Sequence, residues 1–369
     1  MGIFDNNSGG TTTTILEEKP VLGAEETMRP SSVACFVILE HSEAFGTKER
    51  SYNFNILGNP MFTWVARACP SIPATIEAER GANVLELIRP YLKDSEYTLV
   101  LYSDTPLITR GSIDEILEYM TNKGLNVCKL TRGIVFRTEY IKRVGEVFAP
   151  QTYYFDEEDF ITAVNFKQLS LVSDILKTRI LEYHMKNGVY FENPDLVIID
   201  ANVSIGSGTK IVGRTRLTGR TEIGENCIIE DSVIDSCKIY DEVMVRGARI
   251  EKSVVEHGSE IEPGATVADG SMVNKNSHIG RNVTILKSSV GENAIIGDNC
   301  FVSNSRIHNL CKIEQRCDIL GSQQKIVRIL ENVVVGAGSK VQAGVMIGAG
   351  VTVADMSHID KNIRQGESL

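Results

Sequence analysis

The sequence lacks the features of a membrane protein, a nucleic-acid-binding protein or a secreted disulfide scaffold. No run reaches the roughly 18 apolar residues of a membrane-spanning helix, and the N-terminal segment lacks the basic-then-apolar order of a secretion signal. Because 48 acidic side chains outnumber 38 basic ones, the net charge of −10 predicts that nucleic acid is not a partner. The eight cysteines include no C-x-x-C pair and are too sparse for a disulfide scaffold, which predicts a reducing, cytoplasmic location.

Aromatic residues are nearly absent from the second half of the chain. Of 12 Phe, 11 Tyr and one Trp, only Tyr240 and Phe301 lie beyond residue 200. Ordinary globular cores use aromatic rings to fill irregular space. A region of this length without them must therefore pack a regular, narrow and aliphatic core.

Aliphatic residues in this region recur every six residues, with several steps of five. The register begins at Ile199, Ile205, Ile211, Leu217, Ile223 and Ile229. It continues with one interruption to Val353 and comprises 27 positions. A register held over about 150 residues predicts hexapeptide β-helix repeats, in which each unit is a short strand followed by a turn. Three units form one triangular coil, so the sequence predicts nine coils with the aliphatic side chains pointing inward.

Small residues four positions after the aliphatic ones are also predicted to point inward. They include Thr209, Thr215, Thr221, Cys227, Val233, Cys300 and Cys317. This position makes the three cysteines fillers of the core, and metal binding or redox chemistry is the less favoured interpretation.

The chain divides into four predicted segments. Residues 1–32 are polar and rich in Gly and Thr, which predicts a disordered tail. Residues 33–158 alternate apolar runs with helical patterns, which predicts an α/β domain with a parallel sheet. A linker helix over residues 159–188 is predicted to connect this domain to the β-helix of residues 189–369.

Local signals within the first half support this division. Residues 33–39 and 97–102 are continuous apolar runs, typical of buried strands. Ser112 and Glu115 form a capping box that predicts the start of a helix. Asp159 is the predicted cap of the linker helix.

Three stretches of the chain resemble a bacterial family. Residues 101–108, LYSDTPLI, are similar to its Y-G-D-x-P-L-I motif, and residues 188–200, GVYFENPDLVIID, are similar to its helix exit, G-V-x-x-x-D-P-x-x-x-x-I-D. The third stretch is the hexapeptide register from Ile205 onward. The family is the bifunctional enzyme that makes UDP-N-acetylglucosamine, in which an N-acetylglucosamine-1-phosphate uridyltransferase is joined to a glucosamine-1-phosphate acetyltransferase.

The resemblance implies a fold and a set of ligands. The fold is a shortened, Rossmann-like nucleotidyltransferase domain, a linker helix and a left-handed parallel β-helix that assembles as a homotrimer. The implied ligands are acetyl-CoA as the acyl donor, Mg2+, and a sugar phosphate or nucleotide sugar.

The residues at the family's nucleotidyl-transfer site are mostly changed. Lys48 is the candidate remnant of the phosphate-binding loop, but Glu40 and Glu43 place negative charge where phosphates would lie. Asp104 stands at the family's metal-binding Asp and is the candidate metal ligand. The second ligand, an Asn in the family, falls on Thr131, so the sequence predicts an eroded site without uridyl transfer.

The family's acetyl-transfer site is also eroded in this sequence. Its sugar-phosphate-binding Arg falls on Ala268, its catalytic His on Asp298 and the accompanying Tyr on Phe301. Of the family's Lys pair, Lys287 remains as a candidate substrate-binding residue. Acyl transfer to an amine needs a base that acts near neutral pH, and an ordinary carboxylate with a pKa of about 4 is a far weaker base than imidazole.

Two candidates for the catalytic base, and two classes of function, stay open. Asp298 occupies the position of the catalytic His, whereas His308 is predicted to face outward at a corner or side of the β-helix.

In the first class of function the protein is a weak or inactive sugar-phosphate transferase, with acyl-CoA-dependent acyl transfer favoured over uridyl transfer. In the second it is a non-catalytic homotrimeric scaffold or regulator of amino-sugar nucleotide or cell-envelope precursor metabolism.

Overall fold

The computed structural model describes residues 32–145, 147 and 152–367 of the 369-residue chain. Apart from Ser32, the predicted disordered tail lies outside the described residues. Within the described part, no helix combines the length and apolar character that crossing a membrane requires.

A five-stranded sheet forms the centre of the α/β domain. Its strands are β1 (Val33–Glu40), β2 (Ala74–Ala78), β3 (Tyr97–Tyr102), β4 (Val127–Leu130) and β5 (Gly133–Arg137). The spatial order is β2-β1-β3-β5-β4, with β1 parallel to β2 and β3, and with β5 antiparallel to β3 and β4. Because the connection between β4 and β5 is too short for a crossover helix, these strands form a hairpin, and the sheet is mixed rather than wholly parallel.

Helices cover both faces of this sheet, which explains the continuous apolar sequences of β1 and β3. The α-helices of the described chain are α1 (Met61–Ala68), α2 (Val84–Ile88), α3 (Arg110–Lys123), α4 (Thr138–Arg143) and α5 (Phe166–Lys186). Short 3-10 turns lie at Glu43–Phe45, Ser51–Asn53, Arg89–Tyr91, Glu158–Phe160 and Pro194–Leu196. A small hairpin pairs Asn55–Ile56 with Asn59–Pro60.

Two helices begin at residues other than the predicted caps. The cap of α3 is Thr109, whose Oγ1 accepts a hydrogen bond from the Ser112 N–H at 3.1 Å, and the cap of α5 is Asn165, whose side chain accepts from the Gln168 N–H at 3.0 Å. The predicted caps Ser112 and Asp159 are buried and bond to each other, hydroxyl to carboxylate. The linker helix is therefore shorter than predicted at its N-terminal end.

The β-helix consists of three parallel sheets, here named faces A, B and C, along a triangular prism. The nine strands of face A are Ser204–Ile205, Glu222–Ile223, Lys238–Ile239, Val254–Val255, Met272–Val273, Ser289–Val290, Ser305–Ile307, Val327–Ile329 and Met346–Ile347. The ten strands of face B are Tyr190–Phe191, Lys210–Val212, Ile228–Glu230, Met244–Arg246, Glu260–Ile261, His278–Ile279, Ile295–Ile296, Lys312–Ile313, Val334–Val335 and Thr352–Val353. The ten strands of face C are Ile198–Ile199, Arg216–Thr218, Val233–Asp235, Arg249–Glu251, Thr266–Ala268, Thr284–Leu286, Phe301–Ser303, Asp318–Leu320, Lys340–Val341 and His358–Ile359.

The predicted aliphatic register forms the core of the prism. All 27 positions are buried, with at most 9% exposure, and Phe191 and Ile359 extend the register by one strand at each end. The predicted small fillers are buried as well, except Val233, whose place is taken by Ser232 because this unit is one residue shorter. An α/β domain, a linker helix and a parallel β-helix of hexapeptide repeats are all present, so the predicted fold class is confirmed.

The α/β domain and the β-helix share one hydrophobic core. Met61 and Trp64 of α1 belong to the same buried cluster as Val172 of α5 and Ala201 in the first coil. The Ala201 N–H also donates to the Leu57 carbonyl at 2.9 Å. This packing fixes the α/β domain on the N-terminal end of the β-helix.

Candidate functional site

Three charged side chains converge at one edge of the α/β sheet. Glu40 ends β1 and Asp104 follows β3, and the carboxyl ends of these parallel strands lie at the same edge. Arg132 lies in the turn before β5, which runs the opposite way and therefore begins at this edge, where Gly133 pairs with Leu101. The topology thus brings together an arginine and two carboxylates that lie 92 and 28 positions away in the chain.

The Arg132 guanidinium binds both carboxylates. Its Nε donates to the two Asp104 carboxylate oxygens at 3.0 and 3.2 Å, and its Nη2 donates to Asp104 Oδ2 at 2.8 Å and to Glu40 Oε2 at 2.5 Å. The side chains of Glu40 and Asp104 are only 8% and 9% exposed. The guanidinium also lies over the Tyr102 ring, 3.8 Å from its centroid, where a cation–π contact adds to the ion pairs.

Burial and charge act in opposite directions on Arg132. Burial lowers the pKa of the guanidinium, but the hydrogen bonds and charges of Asp104 and Glu40 outweigh this effect and raise the pKa above its ordinary value. Burial also raises the pKa of the Tyr102 hydroxyl, which therefore stays protonated at neutral pH. The sheet edge consequently holds a permanent positive charge between two acidic groups.

The resemblance implies Mg2+ at Asp104, but the residues at this edge do not fit a metal ion. Both Asp104 carboxylate oxygens accept hydrogen bonds from Arg132, whose cationic group lies where a metal would contact them. A metal would have to approach to about 2.0–2.6 Å from the same oxygens against this positive charge. Asp104 as a metal ligand stays a prediction that this geometry does not support.

Little space remains beside the cluster. The cavity lined by Glu40, Asp104 and Arg132 has a volume of about 10 Å3, enough for at most one water molecule and far too small for a nucleotide sugar. Lys48, the candidate phosphate-binding residue, is exposed in the loop that follows the Glu43–Phe45 turn and does not line this cavity. The structure therefore does not bring Lys48 and Asp104 into one pocket.

The three candidate residues of the β-helix lie at three different corners of the prism. Asp298 follows a strand of face B, His308 follows a strand of face A and Lys287 follows a strand of face C. All three are exposed, and His308 faces outward as its place in the register predicts. A single chain therefore does not gather them around one substrate, and their catalytic or binding roles stay predictions.

Asp298 has a structural contact at its corner. Its Oδ1 accepts a hydrogen bond from the Arg281 backbone N–H of the preceding coil at 2.8 Å. Asp355, at the equivalent position of a later coil, accepts in the same way from the Ala337 N–H at 2.8 Å. The repeated contact explains an aspartate at this corner without any role in catalysis.

One group of potential metal ligands lies on face B among the described residues. Glu260 and His278 are paired on neighbouring strands, with Oε2 3.3 Å from Nδ1, and Glu262 brings its carboxylate within 4.8 Å of their ligand atoms. Arg246 and Arg281 lie 3.7 and 4.0 Å from Glu262 and compete with a metal for that carboxylate. This group could not be identified from the sequence, because only the coil register places Glu260 beside His278, which lies 18 positions away in the chain.

Two curated proteins are similar to parts of this chain. The bifunctional protein GlmU of Acetivibrio thermocellus is 26% identical over 195 residues, which cover 35% of this chain and 42% of that protein. The bifunctional protein GlmU of Rubrobacter xylanophilus is 34% identical over 82 residues, which cover 22% of this chain and 18% of that protein. The chain thus spans less than half the length of these curated relatives, and it is a distant, partial relative of them.

No protein-family model matches the chain. Among solved structures, the UDP-N-acetylglucosamine acyltransferase from Campylobacter jejuni is 18% identical with a TM-score of 0.33, and the likeness covers 48% of this chain and 67% of that chain. The UDP-N-acetylglucosamine acyltransferase of Francisella novicida is 16% identical with a TM-score of 0.26, over 44% of this chain and 62% of that chain. At these TM-scores neither likeness carries an argument about function.

Proposed function

We propose that the chain is a relative of the bifunctional GlmU proteins in which both transfer sites are eroded, so that it is a weak or inactive sugar-phosphate transferase. One observation carries this proposal: Arg132 bonds to Asp104 and Glu40 and closes the cavity where a metal-bound nucleotide would lie. Nucleotide phosphates need a bound metal to neutralise them during transfer. Uridyl transfer is therefore lost in this proposal.

For the β-helix we expect weak or absent acyl transfer. The Asp298 carboxylate is engaged by a backbone N–H, and Ala268 is an uncharged, buried residue where the resemblance places a phosphate-binding Arg. Loss of a proton-transfer group alone costs about 10²–10⁴ in rate. Acetyl-CoA as donor, and a sugar phosphate or nucleotide sugar as acceptor, belong to this proposal as the ligands of any activity that remains.

A second function, a non-catalytic homotrimeric scaffold or regulator in the cytoplasm, is favoured by the outer surface of the prism. Each face runs through nine or ten strands and displays large apolar side chains to solvent. Met272 on face A, Ile295 on face B and Phe301 on face C are 40%, 42% and 36% exposed. Such faces suit side-by-side packing of β-helices without any requirement for turnover.

The test is a direct assay for both reactions. The protein is incubated with acetyl-CoA, UTP, Mg2+ and hexosamine phosphates, and free thiol and pyrophosphate are measured. We expect neither product above the rate without protein. Turnover at about 1–10³ s⁻¹, a rate typical of enzymes, would contradict the proposal. Asp298→Ala and His308→Ala would then test which of the two residues acts as the base.

A gain-of-function variant tests the residue assignments in the β-helix. Asp298→His combined with Ala268→Arg restores the two side chains that the resemblance expects, and should release thiol from acetyl-CoA in the presence of glucosamine 1-phosphate. Asp355→His combined with Ala268→Arg is the matched control, because Asp355 occupies the equivalent position of a later coil with the same backbone contact. No thiol from the first variant, or equal thiol from both, would show that these positions are assigned wrongly.

A further inference from the structure

We propose that Arg132 is the resident cation of a two-carboxylate site, and that its removal opens a binding site for a divalent cation between Glu40 and Asp104. The inference rests on the proposed loss of uridyl transfer and explains how that loss is built into the sheet edge. Its test measures cation binding rather than turnover, so the two proposals can fail separately.

The two carboxylates require a positive charge between them. Each is less than a tenth exposed, and both accept hydrogen bonds of 3.2 Å or less from the same guanidinium. Two buried negative charges in such proximity repel each other strongly unless a cation lies between them. In this chain Arg132 supplies that cation.

Arg132 is well suited to stay in place. Its planar group binds Asp104 through two nitrogens, reaches Glu40 with one of them and covers the Tyr102 ring, so its orientation is fixed on three sides. Its backbone lies in the short turn between β4 and β5, held by the pairing of those strands. A free ion would have to displace a charged group that is tethered to the site and always present at high effective concentration.

Removal of the guanidinium leaves a site of hard oxygen ligands. Mg2+, Mn2+ and Ca2+ prefer carboxylate oxygens, and Glu40 and Asp104 would offer theirs around the space that Arg132 vacates. Arg80 is the other arginine that lines the cavity, but its side chain is exposed and forms no ion pair within the described chain. His41 also lines it, and its Nδ1 accepts a hydrogen bond from the Ser51 N–H at 3.2 Å.

Mn2+ is the probe, because its free-ion electron paramagnetic resonance signal falls on binding. Relative to wild type, Arg132→Ala should bind one additional Mn2+ per chain with a Kd on the order of 10⁻⁴–10⁻³ M. Arg80→Ala is the matched control and should bind as wild type does. Adding Asp104→Asn to Arg132→Ala should abolish the additional site. Binding at other carboxylates, such as Glu260, should be the same in every variant, so subtraction of the wild-type value removes it.

Thermal unfolding is a second measurement of Mn2+ binding, which can still be made if Arg132→Ala is only marginally stable. Roughly 10 mM Mn2+ should raise the unfolding midpoint of Arg132→Ala by roughly 2–4 °C more than it raises that of wild type. Arg132→Gln, which keeps a polar side chain without the charge, is the second variant and should respond in the same direction. The proposal is overturned if wild type binds Mn2+ in a manner that Asp104→Asn abolishes, or if neither Arg132 variant gains binding or stability from Mn2+.

Discussion

Stability is expected to depend on pH through His184, a buried residue at the end of the linker helix. His184 lies in the last turn of α5 and is 4% exposed. Its backbone carbonyl accepts a hydrogen bond from the Val189 N–H at 3.0 Å, where the chain enters the first coil. Burial lowers the pKa of its imidazole from the ordinary value of 6.5 to about 4. The folded protein therefore holds His184 neutral at pH values where the unfolded chain protonates it.

The sign and size of the effect follow from this difference. Between pH 6.5 and pH 4 the unfolded state binds a proton that the folded state does not, so the free energy of unfolding falls as the pH falls. The loss relative to pH 7 is about 2 kcal/mol at pH 5 and approaches about 3 kcal/mol below pH 4. Well above pH 6.5 both states are neutral at this residue, and its contribution no longer changes.

Urea unfolding followed by circular dichroism at pH 7 and pH 5 measures this contribution. Wild type should lose about 2 kcal/mol more than His184→Leu between the two pH values, because the variant keeps an apolar side chain but cannot titrate. Carboxylates that titrate in the same range affect both proteins equally. His358→Leu, at an exposed position on face C, is the control and should follow wild type. An equal loss in wild type and His184→Leu would refute the reasoning.

The β-helix makes three further outcomes measurable. Val267→Asp should unfold the protein, because an unpaired charge in the prism costs more than about 3 kcal/mol, whereas Thr266→Asp points outward on the same strand and should fold. Unchanged melting of Val267→Asp would contradict the register. Gly291→Ala should lower stability by about 1–3 kcal/mol, since its Cβ would lie 2.3 Å from the His308 carbonyl carbon, while Gly111→Ala meets nothing closer than 3.7 Å. Similar melting of the two alanine variants would contradict that clash. Light scattering should give a mass near three times 40.6 kDa, and a mass near 40.6 kDa at micromolar concentration would exclude the homotrimer.

The β-helix could be predicted from the sequence almost residue by residue because one local rule repeats along it. Each unit places an aliphatic side chain inward, so the period itself encodes the fold. The first residue of a helix is harder to predict, since several polar residues near the start can accept hydrogen bonds from the free backbone N–H groups. The residues that cap these helices are Thr109 and Asn165. The hydroxyl of Ser112 instead bonds to Asp159, 47 positions away, and no local sequence pattern indicates this contact.

The candidate site was less predictable for a related reason. The resemblance indicates which of the family's side chains are replaced in this sequence, such as the second metal ligand at Thr131, but it does not indicate which side chain occupies the space beside Asp104. Arg132 follows directly in the sequence, yet its partner Glu40 is 92 positions away. Only the order of the strands, with antiparallel β5 beside parallel β3, brings the guanidinium to the ends of β1 and β3. On face B, Glu260 and His278 are likewise distant in the chain, by 18 positions, and are brought together only by the stacking of the coils.

The α/β domain has a structural role that does not depend on transfer chemistry. The terminal coil of a solenoid has no neighbour on one side, and its apolar interior needs a cap. Phe191 and Ile199 of the first coil lie in the same buried cluster as Leu176 of α5 and Trp64 of α1, so the linker helix and the α/β domain supply that cap. At the sheet edge of this domain Arg132 pairs with Glu40 and Asp104, whereas an open metal and nucleotide site would place these two buried carboxylates beside solvent. The proposed loss of catalysis is therefore compatible with retention of the domain, because the domain covers the apolar end of the β-helix.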